Sequence, residues 1–150
     1  MTTDPGSSPE HPLDNTTEWV AKQLREYDES DGTVWPTLRG QPLMLLTTKG
    51  AKSGLWRRTV LLYGEDEGRV ILVASKGGHP QHPAWYVNLR DHPEVRAQVH
   101  ERKFRAIART ATPAEKPGLW ELMAEIWPDY RGYQEKTDRD IPVVILDPMA

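Results

Sequence analysis

Three closely spaced apolar runs, LMLL at 43–46, VLLY at 60–63 and VILVA at 70–74, carry almost no polar alternation. A strand with one face in water alternates apolar and polar side chains, so strands that do not alternate must be covered on both faces. Glycine-containing stretches at 49–54 and 64–68 separate the runs and leave room only for tight turns. Three antiparallel strands at 43–48, 55–63 and 69–75 are therefore expected, curled into a small closed barrel rather than a flat open sheet.

Further elements flank this meander. Asn15 and Glu18 have capping-box spacing, and Trp19, Val20, Leu24 and Tyr27 form one apolar stripe before Asp31-Gly32, which predicts an amphipathic helix. Its polar face is acidic (Glu18, Glu26), which favours packing on the domain over weak peripheral contact with an anionic membrane. Pro83 opens a short helix over 83–89, and strands at 94–100 and 103–110 form a hairpin about Glu101-Arg102. Thr112 and Glu115 make a second capping box, before a helix with Leu119, Trp120, Leu122, Met123 and Ile126 on one apolar face. A short helical segment follows Trp127-Pro128, and the β-branched run at 141–146 predicts a buried closing strand. The sum is an α+β fold, mainly β, with about six antiparallel strands and three to four helices.

Composition excludes several chemistries. There is no cysteine, hence no disulfide, thiolate nucleophile or cysteine-ligated metal, and this suits a reducing, cytoplasmic setting. No apolar run reaches the roughly 18 residues of a membrane span, and the opening MTTDPGSSPEHP is unlike a secretory or transit signal. Residues 1–13 read as a flexible tail. Residues 1–31 hold eight acids and two bases, whereas 38–90 contain only Glu65, Asp66 and Glu67 against eight basic residues. A basic body of this kind points to an anionic ligand, while the acidic N-terminus and overall charge of -3 speak against nucleic acid.

Two loops gather the donors such a ligand needs. Lys49, Lys52 and Ser53 lie in a glycine-containing turn, with Arg57 and Arg58 just downstream on opposite faces of a strand. Ser75, Lys76 and Gly77 follow the strand at 69–75, where paired glycines allow close approach of a ring or phosphate. Each loop, taken alone, also suits an ordinary turn. The first lacks the Walker spacing, and neither GxGxxG nor GxSxG occurs. His79 and His82 lack further ligands, so no metal is expected. Trp127, Tyr130 and Tyr133, three apart, suit core packing or a helix face that stacks a planar substrate and donates a proton.

Taken in order, LLTTKGAKSG, RRTVLLY, VASKGGHPQHPAWYVNL and WPDYRGYQEKTDRDIPVVILDP resemble the deazaflavin (coenzyme F-420)-dependent nitroreductase family of actinobacteria, over residues 41–148. The resemblance implies a split β-barrel of the FMN-binding-like kind over residues 32–150, with 1–31 as tail and helix. It implies reduced coenzyme F-420, an 8-hydroxy-5-deazaflavin with a phosphate and an oligoglutamate tail, as cofactor. Lys52, Ser53 and Arg57 would hold phosphate and tail, with Lys49 or Arg58 supplementing them because Ala51 stands where a basic residue is common. Ser75, Lys76 and Gly77 would line the deazaflavin, Trp85 and Tyr86 match the family's WY pair, and Ala84 would touch the ring. Tyr130 and Tyr133 would be catalytic and, with Trp127, line the substrate pocket, which the N-terminal helix is expected to border.

The implied activity is hydride transfer from the reduced deazaflavin to a quinone, nitroaromatic or similar electrophilic acceptor, with a proton from Tyr130, Tyr133 or water. An FMN-dependent oxidoreductase on the same barrel and a non-catalytic deazaflavin carrier are the alternatives, because anion and ring sites look alike in sequence. Barrel edges and surface tryptophans admit a homodimer.

Overall fold

The computed structural model describes residues 4–149. Nine strands and four α-helices occur among them, in the order β1 (Leu13–Asp14), α1 (Glu18–Glu29), β2 (Thr37–Leu38), β3 (Gln41–Lys49), β4 (Trp56–Leu62), β5 (Gly64–Asp66), β6 (Arg69–Val73), α2 (Ala84–Asp91), β7 (Glu94–Val99), β8 (Arg102–Thr110), α3 (Lys116–Ile126), α4 (Asp129–Glu135) and β9 (Val143–Pro148). A single 3-10 turn spans Lys76–Gly78. The sheet runs β1-β4-β3-β7-β8-β9-β6-β5, with β2 added to β3. Every pairing is antiparallel except β1 with β4.

The unalternating runs have the double coverage that their composition demands. Met44 and Leu46 of β3 and Val70 and Leu72 of β6 join one interior cluster with residues of β7, β8, β9 and α2. Strands so far apart in the pairing order share that cluster only because the sheet curls. The alternate residues face outward under helices: Leu43 and Leu45 pack with Val20 and Leu24 of α1, and Ile71 and Val73 pack with Leu119 and Met123 of α3.

The expected six-stranded closed barrel is corrected in two respects. β1, β2 and β5 are two or three residues long, too short to show a period, and β5 occupies what reads as a turn. The curl is also not closed by hydrogen bonds, since β4 and β6 approach each other without a shared ladder. Residues 4–13, expected as part of a free tail, make ordered contacts with the body, as does Asp14 next to them. Leu13 and Asp14 align with Arg57 and Arg58, and Trp56 donates its N–H to the Gly6 carbonyl at 2.8 Å. Residues 1–3 of that tail lie outside the described residues.

Of the two expected capping boxes, the second forms and the first does not. Thr112 and Glu115 exchange backbone-to-side-chain bonds at 2.9 and 3.2 Å. Asn15 instead receives the Thr17 N–H at 2.7 Å while its own N–H binds the Arg58 carbonyl, so the chain is still following β4 there and α1 starts later. No helix among the described residues is long and apolar enough to cross a membrane.

Candidate active site

A cleft of about 740 Å³ is lined by β4, the end of β6 and its loop, the start of α2, α4, and the N-terminal segment with α1. It therefore opens at the seam where β4 and β6 do not pair. Arg57, Arg58, Ser75, Lys76, Gly77, Ala84, Trp85, Trp127, Tyr130 and Tyr133 all line it. Lys49, Lys52 and Ser53 do not: Lys52 and Ser53 are exposed in the β3–β4 turn, and the Ser53 hydroxyl accepts the Leu55 N–H at 3.1 Å. The turn is nevertheless tied to the cleft, because Ala51 donates to Oδ1 of the cleft residue Asn88 at 3.0 Å.

Adjacent arginines have opposite fates, as period two requires. Arg58 opposes Thr47, and its guanidinium reaches Asp14 at 2.8 and 3.0 Å and Asp28 at 2.8 Å. Burial works against its charge, but the hydrogen bonds of Asp14 and Asp28 prevail and hold it above the ordinary arginine range. That guanidinium is committed to anchoring β1 and α1. Arg57 opposes Thr48, is exposed, and forms no ion pair among the described residues. It is the β4 cation open to an anionic ligand.

The loop after β6 is built by left-handed backbone. Ser75 is right-handed (φ -79°), whereas Lys76, Gly77 and Gly78 have φ of 46°, 63° and 84°. A right-to-left change of hand turns successive N–H groups into one concavity, a natural seat for an electron-rich oxygen. Gly78 packs so closely on α4 that a side chain would strike its backbone. Arg139 donates to the carbonyls of Ala74, Ser75 and His79 at 3.1, 2.6 and 2.8 Å.

Opposite lie the aromatic residues of α4 and its approach. Tyr130 is buried and Tyr133 half-buried, their rings edge to face with centroids 6.1 Å apart. Burial pushes the Tyr130 phenol well above its ordinary range, so it stays protonated and offers a donor. The Trp127 indole N–H meets Tyr133 Oη at 3.4 Å, and the Arg39 guanidinium stacks 3.8 Å over the Trp127 ring while pairing with Asp129 at 2.8 Å. His79 Nδ1 accepts the Gln81 N–H, and His82 contacts Arg139. No group of three metal-ligating side chains occurs among the described residues.

Sequence reasoning missed Asn88 and Arg139 as supports. A buried asparagine on the α2 face beside Leu89 was a legible signal, because a buried amide needs partners. Arg139 stands in a loop with no period to reveal it. The assembled cleft fits a flat, anionic cofactor: Arg57 and Lys76 supply positive charge, the Ser75–Gly77 backbone supplies donors, and Ala84 and Trp85 supply an apolar wall.

The comparisons with known proteins agree in direction. The profile of the F420H(2)-dependent quinone reductase family matches residues 19–148. An F420H(2)-dependent quinone reductase of Mycobacterium tuberculosis (strain ATCC 25618 / H37Rv) is 37% identical over 124 residues, which cover 80% of this chain and 83% of that protein. A solved F420-H2 dependent reductase superposes with a TM-score of 0.66 at 43% identity, over 71% of this chain and 94% of the other. A chain described as a domain-swapped dimer gives a TM-score of 0.68 at 39% identity, over 89% of this chain and all of that one. The likeness of fold alone extends to HutZ, a heme storage protein of Vibrio cholerae, with a TM-score of 0.55 at 12% identity over 87% and 91% of the two chains. With the profile spanning α1 to β9 and every wall of the cleft drawn from elements in that span or just before it, this chain belongs to the F420H(2)-dependent quinone reductase family.

Proposed function

We propose that this chain binds reduced coenzyme F-420 in the seam cleft and reduces a quinone there. One observation supports the placement above others: the unpaired cation Arg57, the donor loop at Ser75–Gly77 and the tyrosines of α4 meet in one cavity. When bound, the cofactor supplies a hydride, and a quinone that takes up that hydride and one proton becomes a hydroquinone.

The chain's own work is binding, orientation and proton supply. Arg57 and Lys76 attract the phosphate and anionic tail, with Lys49 and Lys52 at the nearby turn adding to the field. Ser75, Lys76 and Gly77 hold the ring through backbone donors, and Ala84 and Trp85 pack on its apolar surface. Arg58 serves indirectly, by fixing the N-terminal segment as a wall. The part of the chain after residue 31 thus carries the cofactor grip, and residues 14–20 close the side of the cleft, where Trp19 is 44% exposed. Tyr130 donates a hydrogen bond to the acceptor oxygen, and Tyr133 gives up a proton that water restores. Trp19, Trp85 and Trp127 exclude bulk water and accept flat rings, nitroaromatics included. A homodimer and weak peripheral membrane contact complete the proposal for a protein working in the cytoplasm.

Titration of the purified chain with coenzyme F-420 and with FMN, followed by fluorescence, tests the cofactor, and menadione added to the reduced complex tests turnover. Selective F-420 binding with menadione-dependent oxidation is expected. FMN preference, or binding without oxidation of any quinone, would overturn the assignment in favour of the flavin enzyme or the carrier.

A further inference from the structure

Arg139 has no carboxylate partner within ion-pair distance among the described residues, although it is half-buried. An arginine in that position normally finds an acid. Here its donors go chiefly to main-chain carbonyls instead: Nη1 to Ala74 at 3.1 Å, Nη2 to Ser75 at 2.6 Å and Nε to His79 at 2.8 Å, with Nη1 also 3.2 Å from His82 Nδ1. The first two carbonyls belong to consecutive peptide units whose N–H groups are those of Ser75 and Lys76. Both peptide bonds are trans, since no cis peptide bond occurs among the described residues, so each N–H points away from its own carbonyl and away from the guanidinium. Neither N–H has a hydrogen-bond acceptor among the described residues, and both residues line the cleft.

We infer that Arg139 is a positioning residue for the cofactor site, locking and polarising the Ala74–Ser75 and Ser75–Lys76 peptide units so that their N–H groups grip an electron-rich oxygen of the bound ligand. A cation on the carbonyl side draws electron density toward the oxygen and makes the opposite N–H a stronger donor. Three carbonyl bonds from one planar group also hold the left-handed turn at Lys76 ready before ligand arrives, which removes an ordering cost from binding. Lysine cannot reproduce this, because a point charge lacks the forked donors. The inference rests on the proposed F-420 site for the identity of the ligand, but not for the state of the loop.

The test compares wild type with Arg139→Lys and Arg139→Ala, the second with and without added guanidinium ion, and uses Arg139→Gln should Arg139→Ala fail to fold. Amide hydrogen exchange at Gly78 and His79, whose N–H groups bond the Ser75 and Lys76 carbonyls, is measured first, without ligand. Dissociation of F-420, and of the bare deazaflavin lacking phosphate and tail, is then followed by fluorescence. Expected are faster loop exchange in the variants, about tenfold weaker binding of both ligands, a raised KM for F-420 with that for menadione unchanged, and partial recovery of Arg139→Ala by guanidinium. Unchanged exchange, or unchanged affinity in Arg139→Lys, would overturn the inference. If wild type binds no F-420, the functional proposal fails, and the exchange data still decide whether Arg139 holds the loop.

Discussion

Gly78 and Tyr133 meet backbone to backbone: a β-carbon on Gly78 would stand 2.7 Å from the Tyr133 carbonyl oxygen and 3.1 Å from its Cα. This contact sets the distance between the donor loop and the helix that carries the tyrosines. Gly78→Ala must push α4 away and also bear φ of 84°, so a loss of about 2–3 kcal/mol is expected. At Gly77 nothing lies within 4 Å, and only φ of 63° opposes a side chain, so Gly77→Ala should cost about 1 kcal/mol. Chemical denaturation of both variants checks the order, which would be reversed if the loop did not pack on α4.

The hydroxyl hydrogen of Tyr133 is not used by Trp127. The indole nitrogen of Trp127 can only donate, so the Tyr133 oxygen accepts in that contact and its own hydrogen is left for another partner. Tyr133→Phe should therefore lower kcat for menadione about 100-fold while leaving F-420 affinity within about twofold. Trp127→Phe, which keeps a ring but loses the donor, should fall between wild type and Tyr133→Phe. Stopped-flow oxidation beside a binding titration separates the two effects, and a parallel loss of affinity would make Tyr133 a binding residue only.

The two neighbouring arginines should separate binding from architecture. Arg57→Ala should weaken F-420 by about 1–3 kcal/mol and flatten the salt dependence of binding. Lys52→Ala, at an exposed position off the cleft, should cost less than about 0.5 kcal/mol. Asp14→Asn removes one partner of Arg58 and should lower stability by about 1 kcal/mol, after allowance for the partial exposure of the pair. Calorimetry on the three variants would contradict this division if Lys52 outweighed Arg57.

His82 gives the stability of the fold a pH dependence. Its pKa lies below the ordinary 6.5 because burial disfavours the charged ring and Arg139 and Arg90 repel it. The ring is therefore neutral at pH 7, with Nδ1 able to accept from Arg139 at 3.2 Å. As pH falls below 6.5 the unfolded chain binds the proton first, so stability declines until the native pKa is passed and then levels off. Melting curves from pH 7.5 to 5 should show this decline in wild type and a smaller one in His82→Gln. Equal slopes would remove His82 as the cause.

Much of the β architecture was legible because burial leaves a mark on composition. The runs at β3, β4 and β6 could not be solvent-facing, and the observed strands match them to within about two residues at either end. Lys49, Lys52 and Ser53 looked equivalent to Arg57 because sequence distance says nothing of which side of a turn faces a cavity. Arg58 looked equivalent to Arg57 for a different reason: its partners Asp14 and Asp28 are 44 and 30 residues away, and no local pattern announces such a clamp.

What the amino-acid sequence determined by itself was the set of double-covered strands, the helices whose apolar faces cover them, and the local conformations that glycine and proline permit. These depend on side-chain burial and on φ and ψ over a few residues. Tertiary structure alone decided that the curl stays open between β4 and β6, that Arg57 faces the opening while Arg58 is consumed by the N-terminal acids, and that Arg139 serves carbonyls rather than a carboxylate. Each of these is settled by where distant segments meet once the core has closed, and pairing energies between distant groups are not written in either neighbour's local sequence.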